Sequence, residues 1–292
     1  MGSQLYRAII DGILAGGVYA LMAVGLTLIF GVLDIINIAQ GILVVLAAYL
    51  SSLLSKHLHL DLFVGLLITI PVMFIIGIVI YRLFMNRLRG RERTSMSLLA
   101  SYAVMIIIEG ILYIGFGPDY VSLSAWYVTS TVRVAGFYLP YIYLFGFGLA
   151  VLLVVGLYFM LYRTKFGRSL RATMQDRVAA RLIGIDVNRV AALAFGIGVG
   201  VTAVGGMVFG ATNAFNPNSG YDLISRLLAI IILGGLGSIG GALAAAVFMT
   251  TVESVVNIWS PTWSVVVFYA ALVIVLTFRP AGLFGRAAVR AQ

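Results

Sequence analysis

The sequence predicts an all-α, polytopic helical membrane protein with about eight to nine membrane segments, two of them broken or re-entrant. Three observations carry this. Of 292 residues, 62% are hydrophobic and 10% charged, far from the roughly 45–50% and 25% of a soluble domain, so a water-soluble fold could not cover its own apolar side chains. Several uncharged runs reach the ~20 residues that cross ~30 Å of hydrocarbon. The basic residues are clustered: of 19 Lys and Arg, five fall at 82–93, seven at 163–189 and three at 279–290. The positive-inside rule reads those clusters as cytoplasmic. The net charge of +9 therefore marks membrane sidedness and not a nucleic-acid partner.

The apolar segments are 5–30, 41–56, 62–85, 95–116, 139–162, 190–212, 223–239, 241–258 and 263–279. In the first, Asp11 interrupts the early apolar run and no A-x-A site follows, so it reads as a spanning helix and not a signal peptide. The approach to the second, "IFGVLDIINIAQGILVV", carries polar residues where a continuous helix would be apolar, and marks the first break. The next four segments are long enough to span, separated by the basic stretches or by 117–138. The seventh and eighth meet at "LGGLGSIGG", the second break. Counting back from a cytoplasmic C-terminus places 57–61, 117–138, 213–222, 259–262 and the N-terminus outside. With no linker or composition shift, residues 1–292 form a single transmembrane domain, and 163–189 its long cytoplasmic loop.

Within the second break, Gly235 to Gly240 spells G-x-G-x-x-G, and Glu253 follows 18 residues after Gly235. That pattern seats a dinucleotide at a strand-to-helix turn, but these glycines lie between bilayer segments and no cofactor is expected. From Asp222 to Leu233 a helix measures about 18 Å, little more than half the hydrocarbon. The expected picture is a half-helix that turns at the glycines and returns. Breaks in both halves of a membrane protein point to a substrate path, because unwound backbone is tolerated only against protein or water. Close helix packing is the other use of small residues, expected at "GILAG" 12–16 and "GMVFG" 206–210.

In the loop, Leu170, Met174, Val178 and Leu182 recur every four residues while Arg171, Gln175, Asp176 and Arg181 take other faces. This predicts one short amphipathic helix ended at Gly184. It suits a helix resting on membrane lipid or one docked on another protein. Zero cysteines and only His57 and His59 leave no disulfide and no metal-ligand cluster. The absence of G-x-x-x-x-G-K-[ST], G-x-S-x-G and H-E-x-x-H argues against an ATP-binding subunit or an enzyme. An ion-coupled secondary transporter would also use broken helices and buried acids, but would work alone.

Five stretches in series, "GLTLIFGVLDIINIAQG" at 25–41, "FGPD" at 116–119, "LRATMQDRVAARLIGID" at 170–186, "LGGLGSIGGALAAA" at 233–246 and "FRPAGLFGR" at 278–286, resemble the permease subunits of ABC importers for branched-chain and other hydrophobic amino acids, the LivH type. One departure is Gln40, where relatives commonly carry His. The resemblance implies a permease in a bacterial inner membrane, paired with a homologous second permease, two cytoplasmic ABC ATPases and an extracytoplasmic substrate-binding protein. Related permeases serve urea and short amides as well. It also implies that the loop helix is a coupling helix inserted into the ATPase. Its contact residues would be Arg171, Met174, Gln175, Asp176, Arg177, Ala180, Arg181, Leu182 and Gly184, with Ala180 beside the docked stripe and Arg177 an exposed, screened charge. Candidates for the translocation path are Asn37, Gln40 and Gly41 at the first break, Glu109 within its span, Asn213 and Asn216 at the outer mouth, and Gly234, Gly235, Gly237 and Ser238 at the second break. The nearer-to-hand roles of the polar ones are inter-helix hydrogen bonding for Glu109 and capping of freed peptide groups for the four amides. Asp222 and Arg226, spaced i,i+4, are expected to form an anchoring ion pair, leaving Glu253 at the outer end.

Overall fold

The computed structural model describes residues 2–88, 93–134 and 137–285; Arg89 and Arg91 of the first basic cluster and Arg286 and Arg290 of the third lie outside them. The long helices follow the apolar segments. They are α1 (Gly2–Leu33), α2 (Gln40–Leu58), α3 (Leu62–Leu83) and α4 (Arg93–Phe116). After a single turn, α5 (Trp126–Thr129), and a hairpin of β1 (Thr131–Val134) and β2 (Phe137–Pro140) comes α6 (Tyr141–Arg163). The loop carries α7 (Lys165–Gln175) and α8 (Arg177–Leu182), and the chain continues through α9 (Val187–Thr212), α10 (Ser219–Gly234), α11 (Ile239–Asn257) and α12 (Pro261–Phe278). Eight of these helices are long and apolar enough to span; α10 is not among them.

Helices α1 and α9 are buried along most of their length and form the centre, whereas α4, α6 and α12 face outward. In lipid no solvent drives helices together, so close packing at small residues and hydrogen bonds must do it. The expected glycine contacts are present. Gly12 and Gly16 of α1 lie against the backbone of Thr251 and Val247 on α11, and Thr250 Oγ1 donates to Gly12 O at 2.8 Å. On α9, Gly206 and Gly210 lie against Val44, Ala47 and Ala48 of α2. Gly77 of α3 meets Gly196 of α9 in the same way.

The ends of the spans sort into two faces. On the basic face lie the ends of α1 and α10, the α7–α8 loop and the C-terminal segment. On the far face lie the hairpin, with Val132 opposite Leu139, and the turn between α2 and α3, where Asp61 caps α3 by accepting from Phe63 N at 2.9 Å. Burial, and then the Asp61 carboxylate beside it, push the Tyr127 phenol well above its ordinary range. This keeps it neutral under the aromatic cluster of Phe63, Trp126 and Phe145.

The first break is a re-entry. At Asp34 the backbone turns with φ 56°, and residues 34–38 climb back alongside α4. Thr94 Oγ1 donates to Asp34 O at 3.2 Å, and Ser101 Oγ accepts from Ile38 N at 3.1 Å and donates to Ile36 O at 3.3 Å. Thr94 to Ser101 is about 10 Å of helix, so α2 begins well inside the layer. The second re-entry differs from expectation. It lies at 213–218, where Phe215 folds back against Gly210 and pairs with Val121 through backbone bonds of 2.8 and 2.9 Å. Helix α10 is short because it starts inside the layer, where Gly220 lies against Ile42. The glycines close the α10–α11 hairpin at the basic face and do not turn it back halfway. Helices α2 and α10 thus meet N-terminus to N-terminus at Gly41 and Gly220 and run to opposite faces.

Candidate functional site

The loop is two helices, because Asp176 takes an extended conformation and caps the second, accepting from Val178 N at 2.7 Å and Ala179 N at 3.1 Å. This corrects the single expected helix: a side chain that can bind the backbone locally competes with helix continuation. The stop at Gly184 is as expected. Its φ is 86°, and Ile185 N donates to Ala180 O at 3.0 Å, the left-handed C-terminal cap that glycine adopts most readily.

The break divides the apolar stripe. Leu170 is fully buried, while Met174 Cε lies 2.8 Å from where a Cβ on Gly31 would be. Val178, Leu182 and Ile183 are 67%, 83% and 74% exposed, a knob of apolar side chains left uncovered by the described residues. Ala180 is buried against the protein's own body and is not on that knob. Arg177 is half-buried and donates from Nη2 to Val32 O at 2.6 Å, so it is not a screened surface charge. Arg171 donates to Leu161 O, and its guanidinium lies 4.9 Å from the Tyr162 ring centre, fastening α7 to α6. Gln175, Asp176 and Arg181 are exposed.

The path candidates fall into three places. Asn37 and Gln40 are fully buried inside the subunit. Asn37 Nδ2 donates to Gln40 Oε1 at 3.1 Å, and Gln40 Nε2 to Thr202 Oγ1 at 2.5 Å. That chain ties the start of α2 to α9, beside Gly41. Asn213 and Asn216 do local work: Asn213 Nδ2 donates to Phe209 O at 3.3 Å at the end of α9, and Asn216 Oδ1 accepts from Ser219 Oγ at 3.2 Å. Glu109 lies half-buried on the outward side of α4 and accepts from Tyr221 Oη of α10 at 2.9 Å. Tyr221 and Ser225, one turn apart on α10, and Tyr102 on α4 are exposed in the subunit. They continue a polar strip that lipid would not solvate.

The glycines belong to the basic face. A Cβ on Gly234 would come within 2.5 Å of the Gly241 backbone. Gly235 and Gly237 have φ of 97° and 81°, and Ser238 caps α11 by accepting from Gly241 N at 3.1 Å. The C-terminal segment folds onto this turn, with Leu283 N donating to Leu233 O at 2.7 Å. Gly237 in turn lies over Gly31. The structure therefore brings the loop, the end of α1 and the glycine turn into one junction, through Met174, Arg177, Gly31, Val32 and Gly237.

Tyr221, Thr202 and Ser101 are the partners that sequence reasoning missed. Thr202 is a lone hydroxyl in the apolar run of α9, while Ser101 and Tyr221 are each one of several hydroxyls on α4 and α10, and nothing local distinguishes them. The expected Asp222–Arg226 pair is not formed; Arg226 Nη1 instead binds both oxygens of Glu253, at 2.7 and 2.6 Å, with the Phe268 ring centre 5.4 Å from its guanidinium. The carboxylate on the neighbouring helix α11 lets one guanidinium nitrogen reach both oxygens in short, charge-assisted contacts.

A family described as branched-chain amino acid transport system / permease component matches residues 8–276. The chain is 26% identical to BraD, a high-affinity branched-chain amino acid transport system permease protein of Pseudomonas aeruginosa, over 96% of this chain and 95% of the relative. It is 28% identical to LivH of Escherichia coli, described in the same words, over 94% of each. Over a shorter stretch, 39% of this chain and 35% of the relative, it is 37% identical to LsrC, the autoinducer 2 import system permease protein of Klebsiella pneumoniae.

Proposed function

Since the chain belongs to the family of branched-chain amino acid transport permease components, we propose that it forms, with a homologous second permease, the membrane path of an ABC importer for branched-chain or other hydrophobic amino acids. Cargo is handed over by an extracytoplasmic binding protein, and two cytoplasmic ATPases drive transport through α7 and α8. The basic face is the cytoplasmic one, and the C-terminus lies on that side of the bacterial inner membrane.

The observation that carries this reading is the junction. An exposed apolar knob, Val178, Leu182 and Ile183, sits on a helix whose first residue holds the last turn of α1 through Arg177 and Val32. A partner that grips the knob can displace the end of α1, and with it the re-entrant segment that starts α2. The strip of Tyr102, Glu109, Tyr221 and Ser225 is the part of the path this subunit contributes. A carboxylate beside a phenol suits the ammonium of an amino acid, and the strip lies where a second permease would close over it. Asn37 and Gln40 act as supports behind it.

Proteoliposomes holding the permease pair and ATPases, with binding protein outside, are expected to take up leucine only with internal ATP. Collapse of uptake by an ionophore while ATP remains would replace this reading with an ion-coupled transporter. Retention of urea or a short amide by the binding protein, and not leucine, would move the cargo within the same mechanism.

A further inference from the structure

A cavity of about 180 Å³ lies at the basic face between the end of α3 and the start of α9, lined by Arg82, Asn86, Asp186, Asn188 and Arg189. Arg189 Nε pairs with Asp186 at 2.8 Å. Arg82 is exposed and has no ion-pair partner among the described residues. The two guanidiniums and one carboxylate leave the cavity one positive charge in excess, and the two amides add donors. Its position fixes which anions meet it: both helices are spans, so their ends here lie at the boundary between hydrocarbon and headgroups.

The surface leading away from the cavity is apolar and open. On α3, Ile75 and Val79 are 58% and 46% exposed and share a face with Arg82 at i, i+4 and i+7. On α9, Leu193 is 38% exposed, one turn beyond Arg189. The seam beneath them is closed by Gly77, Gly196 and Phe74, so a chain lying there would rest on packed protein and not enter a void. A cationic, donor-rich cup at the boundary with an apolar track running from it into the bilayer matches the two parts of an anionic phospholipid. We propose that Arg82, Asn86, Asn188 and Arg189 bind the phosphate of an anionic phospholipid of the cytoplasmic leaflet, with an acyl chain along Ile75, Val79 and Leu193. This site needs only that the chain spans a bilayer with its basic face on the cytoplasmic side, and it stands or falls separately from the transport reading.

The test is native mass spectrometry of the full chain released from detergent, after equilibration with phosphatidylglycerol, with phosphatidylcholine, or with inorganic phosphate alone. Wild type is expected to retain phosphatidylglycerol over phosphatidylcholine, with retention falling about fivefold for each of Arg82→Gln and Arg189→Gln, while Arg279→Gln, a basic-face control away from the cavity, keeps it. Should Arg189→Gln disturb the start of α9, Arg82→Gln alone carries the comparison, since that side chain is exposed. Unchanged retention in Arg82→Gln overturns the site. Displacement of the lipid by millimolar phosphate overturns the lipid assignment and makes it a soluble-anion site.

Discussion

Arg177 and Ala180 stand three residues apart on α8, and the tertiary structure reverses what their neighbours in sequence imply about them. Arg177 supplies a charge-assisted donor to Val32 O at 2.6 Å. Arg177→Glu removes the donor and sets a carboxylate against that carbonyl, a loss of about 2–3 kcal/mol at the junction. Uptake is expected to fall about tenfold or more and to stay low across ionic strengths, because a half-buried contact is little screened. A mild loss that salt abolishes would show the side chain to be an ordinary surface charge. Ala180→Asp, in contrast, disturbs the subunit's own packing and cannot report on a partner. The Arg226–Glu253 pair, with 23% and 18% of its side chains exposed, follows the rule for partly buried ions. Arg226→Leu alone strands Glu253 and should lower stability by about 3 kcal/mol, whereas Arg226→Leu with Glu253→Leu should recover most of it. Thermal unfolding in detergent distinguishes the two, and equal losses would mean that the guanidinium matters for its packing on Phe268.

Among the elements, α8 and the glycine turn lend themselves to direct tests. The apolar face of α8 is left uncovered by the described residues, so Leu182→Asp is expected to leave the fold alone. If that face is buried in an ATPase, a carboxylate there should cost several kcal/mol and abolish copurification of that subunit. Normal copurification with normal stimulated hydrolysis would take α8 out of the coupling role. At the turn, two glycines are needed for different reasons. Gly237 has a φ of 81° but its nearest neighbour, Gly31, is 3.7 Å from a would-be Cβ, so Gly237→Ala pays only backbone strain of about 1–2 kcal/mol. Gly234→Ala drives a methyl into the Gly241 backbone and should part α10 from α11. The expected order of thermal stability is wild type, then Gly237→Ala, then Gly234→Ala, and the reverse order for the two variants would show that conformation and not contact governs the turn.

For the whole molecule the first question is which face is which. Tyr6 and Ser124 are exposed towards the far face, and Arg181 is exposed on the basic one. Because the chain has no cysteine, single replacements by Cys can be read without background. Cysteine at 181 is expected to react with an impermeant reagent only after the membrane is opened, and cysteine at 6 or 124 in intact cells. Labelling at 181 from outside would invert the topology and remove the ATPases from α8.

The sequence by itself determined the class of protein, the positions of the spans to within a few residues, the helix stop at Gly184 and the close approaches at Gly12, Gly16, Gly206 and Gly210. These are legible because each depends on a short window: transfer into hydrocarbon sums residue by residue along a segment, and a cap or a small-residue face is set by its immediate neighbours. The tertiary structure decided where α10 begins, which acid Arg226 holds, that Asn37 and Gln40 lie inside the subunit, and which side of α8 is free. Each of those rests on a pair of residues far apart in the chain, such as Gly41 with Gly220 or Arg177 with Val32. Composition is blind to such pairs, because a buried polar group takes whichever partner the packing brings to it.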